Sequence, residues 1–161
     1  MCLVILSVES RNFVEVNLVK IIPTGGDWSQ SENSLIDEIE KRVKDYDRYL
    51  ENKEVRKSAN ELRAIWACGN EYLQSAEPWS VFKTDPDKAA MQIRLSLNLI
   101  KLYGVLSEPF IPDTAQKIFD AMHVKDRTWP ENIRDALNSL PERGAFEVPE
   151  VMFCLLYTSD A

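Results

Sequence analysis

Few side chains in this sequence are spaced for covalent chemistry. The one histidine, His123, has Asp120 three residues before it, a spacing that any helix surface produces, and no nucleophile or paired carboxylate stands beside them. Its place near the end of a helix suits the negative pole of the helix dipole. Gly25-Gly26 lacks the further glycines and the lysine of a phosphate-cradling loop and reads as a turn. Cys2, Cys68 and Cys154 lie far apart with no CxxC pair, which indicates neither a disulfide framework nor a zinc knuckle. The residues that remain are suited to binding. Pro78 stops a helix and presents Trp79 directly after the break, with Lys83 close behind. Arg56, Asn60, Arg63 and Asn70 share one polar helix face, the two arginines seven residues apart and Asn70 a further step of seven. A tryptophan held outside a helix end by proline offers a rigid π-face, and it is equally able to plug the end of a bundle. The cationic face has the same two readings, as a phosphate-binding stripe or as a solvated surface neutralised by Glu54, Glu61 and Glu71.

Net charge limits what such residues can do. At −7, the chain is a poor candidate for indiscriminate nucleic-acid binding, which needs a basic surface to release counterions, although a local basic stripe remains compatible with it. With 161 residues, 45% hydrophobic and 28% charged, the composition is that of one soluble globular domain. The apolar run Met1 to Ser7 has no basic residue before it and is far too brief to cross a bilayer, so no membrane partner is expected. A reducing cytoplasm fits the cysteine usage best.

The elements that must position these residues are helices. Leu35, Ile36, Ile39, Val43, Tyr46 and Leu50 recur every three or four residues and predict a helix from about Glu32 to Leu50, started by Ser31 or Gln30. Val55, Ala59, Leu62, Trp66, Gly69 and Leu73 form a second seam from about Lys53 to Gln74, where the small Gly69 would permit close helix approach. Asp85-Pro86-Asp87 opens a third helix, nearly all-round apolar from Leu95 to Leu106 and therefore buried. Pro112 sits in the first turn of a fourth that continues through Ile118, Phe119 and Met122, and a short fifth carries Ile133, Ala136, Leu137 and Leu140. With no period-two alternation between Ser31 and Leu140, the expected fold is all-α: an antiparallel bundle of about five helices with an extended tail from Ala145 to Phe153 docked on its surface.

The segment Gly69-Asn70-Glu71-Tyr72-Leu73-Gln74-Ser75-Ala76-Glu77-Pro78-Trp79, followed by Leu97-Asn98-Leu99-Ile100 and Pro109-Phe110-Ile111-Pro112, resembles the C-terminal anticodon-binding domain of methionyl-tRNA synthetases. The resemblance spans about Ile22 to Phe153, and its most specific part is the N-x-Y-x-x-x-x-x-P-W pattern. It implies a class I synthetase helix bundle whose partners are the anticodon loop of a methionine-specific tRNA and a catalytic domain. In that family the tryptophan after the proline stacks on an anticodon base, and the matching position is Trp79. An asparagine and, four residues later, an arginine read base edges. Asn12 is the candidate match for the first, and Val16 stands where the arginine would be. Valine cannot imitate a bidentate donor fork, so poor reading of the anticodon is expected, with Arg11 the neighbouring cation. Arg56, Arg63 and Lys83 are assigned to anticodon-stem phosphates. The signatures of the catalytic domain, an H-I-G-H-like motif and a K-M-S-K-S-like loop, are missing. The resemblance therefore implies no cofactor in this chain, ATP and Mg belonging to the catalytic domain, and no activity alone.

Both ends read differently from the middle, which divides the chain into residues 1–11, 12–153 and 154–161. The first segment has no helical stripe and fits either a genuine strand or an out-of-frame translation. The last eight residues, Cys154 to Ala161, look like the in-frame translation of a transposon-end adapter from sequencing libraries. Two other readings stand beside anticodon recognition: a helical protein-interaction module, and a truncated reading frame without function.

Overall fold

A computed structural model describes residues 22–146. Asn12 with its neighbours Arg11 and Val16, the segment 1–11, the tail beyond Phe146 and the segment 154–161 lie outside the described residues. Within them the chain forms six helices and no strand: α1 (Gln30–Glu51), α2 (Val55–Ala76), α3 (Pro78–Val81), α4 (Pro86–Ser107), α5 (Pro112–Ala121) and α6 (Ile133–Ala136). The expected all-α bundle is what is observed. The sequence reading lacked only α3, a single turn whose four residues are too few for any periodicity to show.

Helix α1 begins at a capping box. Ser29 is the N-cap, its backbone N–H donating to Glu32 Oε2 at 3.1 Å while its hydroxyl bonds the same carboxylate, so the first helical residue is Gln30, the earlier of the two expected starts. Its buried stripe is Leu35, Ile36, Ile39, Val43 and Tyr46, as the spacing requires. Asn52 and Lys53, the latter with φ 58°, turn the chain into α2.

The face of α2 corrects the predicted seam. Leu62, Trp66, Gly69 and Leu73 are buried, but Val55 is 65% exposed and Ala59 only half-buried, while Ser58, Ile65 and Tyr72 are enclosed. The seam is centred on Ser58, Leu62, Ile65, Gly69 and Tyr72. Val55 stands in the first turn at the tip of the α1–α2 hairpin, beyond the surfaces that bury the rest. Gly69 does permit a close crossing, since a Cβ there would lie 1.9 Å from the Tyr103 hydroxyl oxygen of α4.

Helix α4 is the axis of the bundle, with every residue from Met91 to Ile100 buried. Two of its polar members, Arg94 and Asn98, bond to segments outside the helix. Arg94, 6% exposed, donates from Nε to Asn138 Oδ1 (3.1 Å), from Nη2 to the carbonyls of Asn138 (3.3 Å) and Leu140 (2.7 Å), and from Nη1 to that of Pro23 (3.3 Å). One turn later the Asn98 side chain accepts the Leu140 N–H at 3.0 Å. These two residues pin the segment after α6, which explains why Leu140 is buried although α6 ends at Ala136. Gly25-Gly26 is not a turn as expected. Neither glycine has a positive φ, and Gly25 passes so close to Arg94 that a Cβ would lie 3.0 Å from its Cδ. The first and last described segments meet: Ile22 N–H donates to the Gly144 carbonyl (2.8 Å), Arg143 N–H donates to that of Ile22 (3.0 Å), and Ile22 and Phe146 are both buried. No helix among the described residues is long and apolar enough to cross a membrane.

Candidate nucleic-acid interface

The site is built on the C-terminal end of α2. Tyr72, on the buried seam, donates its hydroxyl to Glu32 Oε1 at 2.9 Å and so fastens the last turns of α2 to the first turn of α1. Burial alone would raise the Glu32 carboxyl, but hydrogen bonds from Ser29 and Tyr72 outweigh it and hold the group below its ordinary value. Burial and the neighbouring Glu32 charge push the Tyr72 phenol up.

Helix α2 stops at Glu77, which takes a left-handed conformation, φ 41° and ψ 58°. Its N–H closes α2 on the Leu73 carbonyl at 3.2 Å, and its own carbonyl accepts Ser80 N–H (2.8 Å) and Val81 N–H (3.1 Å) to begin α3. Pro78 is buried in the first position of that turn, where its missing N–H is no loss. Trp79 follows, half-buried: part of it packs on the core cluster and the rest is open to solvent. Phe82, also half-buried against the core, completes the turn, a neighbour that sequence reading passed over because no spacing rule ties it to Trp79.

Of the residues assigned to binding, Lys83 lies exposed at this same junction, in the turn that leads to the Asp85 cap of α4. Arg56 and Arg63 are not brought to Trp79. They lie on the exposed side of α2, and at 1.5 Å per residue Arg63 stands ~20 Å and Arg56 ~30 Å along the helix from its C-terminal end. Neither arginine has an ion pair among the described residues. Two of the three acids that could have neutralised them are engaged elsewhere, Glu54 by Lys57 and Glu61 by Arg42 Nη1 at 2.9 Å, while Glu71 stands exposed eight residues beyond Arg63. The exposed face of α2 thus presents two guanidinium groups without an ion pair among the described residues, with Asn60 exposed between them and Asn70 half-buried beyond. Such a surface can stack one flat ring and hold anions at intervals along a helix.

The candidates for other chemistry stay apart. His123 is exposed just past the end of α5 with φ 51°, while Asp120 Oδ1 accepts from Gln116 Nε2 at 2.7 Å. Cys68 is a free, half-buried thiol pushed up by burial. No group of three or more His, Cys, Asp or Glu residues that could hold a metal ion occurs among the described residues.

Comparison with known proteins gives one consistent result. The family described as the anticodon binding domain of methionyl tRNA ligase matches residues 22–160. The methionine–tRNA ligase of a Ruegeria species is 58% identical over 132 residues, 82% of this chain and 23% of that protein, and the enzyme of Paracoccus denitrificans gives the same figures. The chain therefore spans less than a quarter of the length of these relatives. Among solved structures, Mycobacterium tuberculosis methionyl-tRNA synthetase in complex with methionyl-adenylate is similar with a TM-score of 0.74 over 89% of this chain and 28% of that one, at 16% identity. Its apo form gives 0.70 over 85% of this chain and 28% of that one. At that identity the likeness is one of fold.

Proposed function

This chain belongs to the family of anticodon-binding domains of methionyl-tRNA ligases, and from that membership we propose that it grips the unpaired anticodon loop of a methionine-accepting tRNA in the cytoplasm. Attachment of methionine, with its ATP and Mg, is the work of the catalytic part of the ligase, which is this domain's other partner. The observation that carries the reading is Trp79, half-buried directly after a left-handed helix break, where a splayed nucleobase can lie against its open side.

The division of labour follows from charge. At −7 overall the chain has no general phosphate affinity, so contacts must be local. Arg56 and Arg63, without an ion pair among the described residues, lie along the exposed side of α2, where they would meet the backbone of the stem, and Lys83 is the cation nearest Trp79 in sequence. These side chains fix register and carry no sequence information. Base-edge reading falls to Asn12, and the valine at position 16 supplies no donor fork to help it.

The test is titration of the full chain and its Trp79→Ala variant with methionine tRNA and with the same tRNA carrying a changed anticodon. Loss of one stacking ring weakens binding by about 1–3 kcal/mol, roughly 5- to 150-fold. Equal failure of both RNAs to bind the wild-type chain would favour a protein-interaction module instead.

A further inference from the structure

Glu77 adopts a conformation that residues with a Cβ seldom take, φ 41° and ψ 58°. Its alternatives are closed by its neighbours. A right-handed helical Glu77 would run α2 straight into α3, and Pro78 disfavours that conformation at the residue before it. An extended Glu77 would forfeit hydrogen bonds on both sides, because its N–H ends α2 on Leu73 and its carbonyl starts α3 on Ser80 and Val81. Both helices terminate on the peptide units flanking one Cα. The angle between them, and with it the direction in which the Trp79 side chain leaves the backbone before it packs on the core, is therefore set by a single pair of dihedral angles. Glycine is the usual occupant of such a helix end and would sit there without strain, but it would also reach conformations that a Cβ forbids.

We propose that Glu77 is a positioning residue for nucleobase stacking: its left-handed backbone holds α3 and the Trp79 ring in one orientation, at the expense of stability. This rests on the reading of Trp79 as a stacking surface. It makes a prediction that a merely structural residue does not, because stability and ring order must move in opposite directions when the Cβ is removed.

The experiment uses the full chain labelled with 15N. Its four tryptophans give four indole N–H signals, of which Trp79 is assigned by its loss in Trp79→Phe. Glu77→Gly is expected to raise the thermal midpoint while the Trp79 indole order parameter falls toward ~0.6, on a scale where rigid groups lie near ~0.85. Affinity for a methionine anticodon stem-loop should drop about threefold or more, the scale set by freeing one side chain that must be ordered again on binding. Glu77→Asn removes the charge but keeps a Cβ in a residue tolerant of the left-handed region; it should raise the midpoint and leave ring order and affinity undiminished. A Trp79 indole as ordered in Glu77→Gly as in the wild type overturns the proposal, and so does a lowered midpoint. Trp79→Ala in the same titration separates the two ideas: if it binds the stem-loop as well as wild type, the stacking reading fails, while the order parameter still decides whether Glu77 aims the ring.

Discussion

The Tyr103 hydroxyl lies over Gly69, at 1.9 Å from where a Cβ would stand, and donates to the Ile65 carbonyl at 3.1 Å. One hydroxyl therefore occupies the space a side chain would need and satisfies a carbonyl one turn earlier on the same helix. Helix propensity alone would make Gly69→Ala stabilising by ~1 kcal/mol. Overpacking at a buried crossing opposes that by ~1–3 kcal/mol and takes the hydrogen bond with it, so net destabilisation is expected in urea unfolding. Adding Tyr103→Phe removes the clashing atom, and the double mutant should recover part of the loss, a coupling that a double-mutant cycle reads directly.

Glu32 sets the acid limit of stability at the helix break. Its folded-state pKa is depressed, so it contributes stability that is present above its unfolded value and lost as pH falls through the folded one. Wild-type stability should decline below pH ~4, and Glu32→Gln should flatten that decline while lowering stability at pH 7. Glu32→Ala also strands the buried Tyr72 hydroxyl and should cost about 1–3 kcal/mol. An unchanged acid profile in Glu32→Gln would show that the carboxylate is not the group responsible.

Asp47 has the opposite sign. Burial pushes its carboxyl up, partly offset by the Trp129 indole N–H donating to its Oδ1 at 3.0 Å. A raised folded-state pKa contributes stability that is fully present below the unfolded value and lost as pH rises through the folded one, so the ionised form is a burden at neutral pH. Asp47→Asn keeps the acceptor and drops the charge. Its thermal midpoint should exceed wild type at pH 7 and lose that advantage near pH 3; a lower midpoint at pH 7 would refute this.

Arg56 and Arg63 have no carboxylate partner among the described residues, and alanine at either position should leave folding stability within ~0.5 kcal/mol of wild type. For tRNA binding, each substitution should reduce the slope of log K against log salt by ~1, equally for cognate and changed anticodons, as phosphate contacts do. A change confined to one anticodon would move these residues from phosphates to bases.

What could be read from the sequence depended on how local the controlling physics was. Helix α4 is legible because its neighbours are apolar on every side, and α1 because its apolar stripe recurs every three or four residues. The dipeptide Pro78-Trp79 marks the break because proline acts on the adjacent residue alone. Val55 was misplaced since periodicity knows nothing of where a covering surface ends. The pairing of Glu61 with Arg42 crosses from α2 to α1, so no reading of α2 alone could show that Glu61 is drawn away from Arg63. Glu77 is the deepest such case: a charged residue before proline does not advertise a left-handed backbone, and only the two helices meeting there reveal it.

The contact of Ile22 with Arg143 and Gly144 brings the described segment's beginning and finish side by side. A body closed in this way can be re-cut: joining residues 22 and 146 by a short linker and opening the chain between Asn52 and Lys53 should give a circular permutant with the same bundle, because the new join spans a gap already bridged and the new cut falls at an exposed hairpin tip.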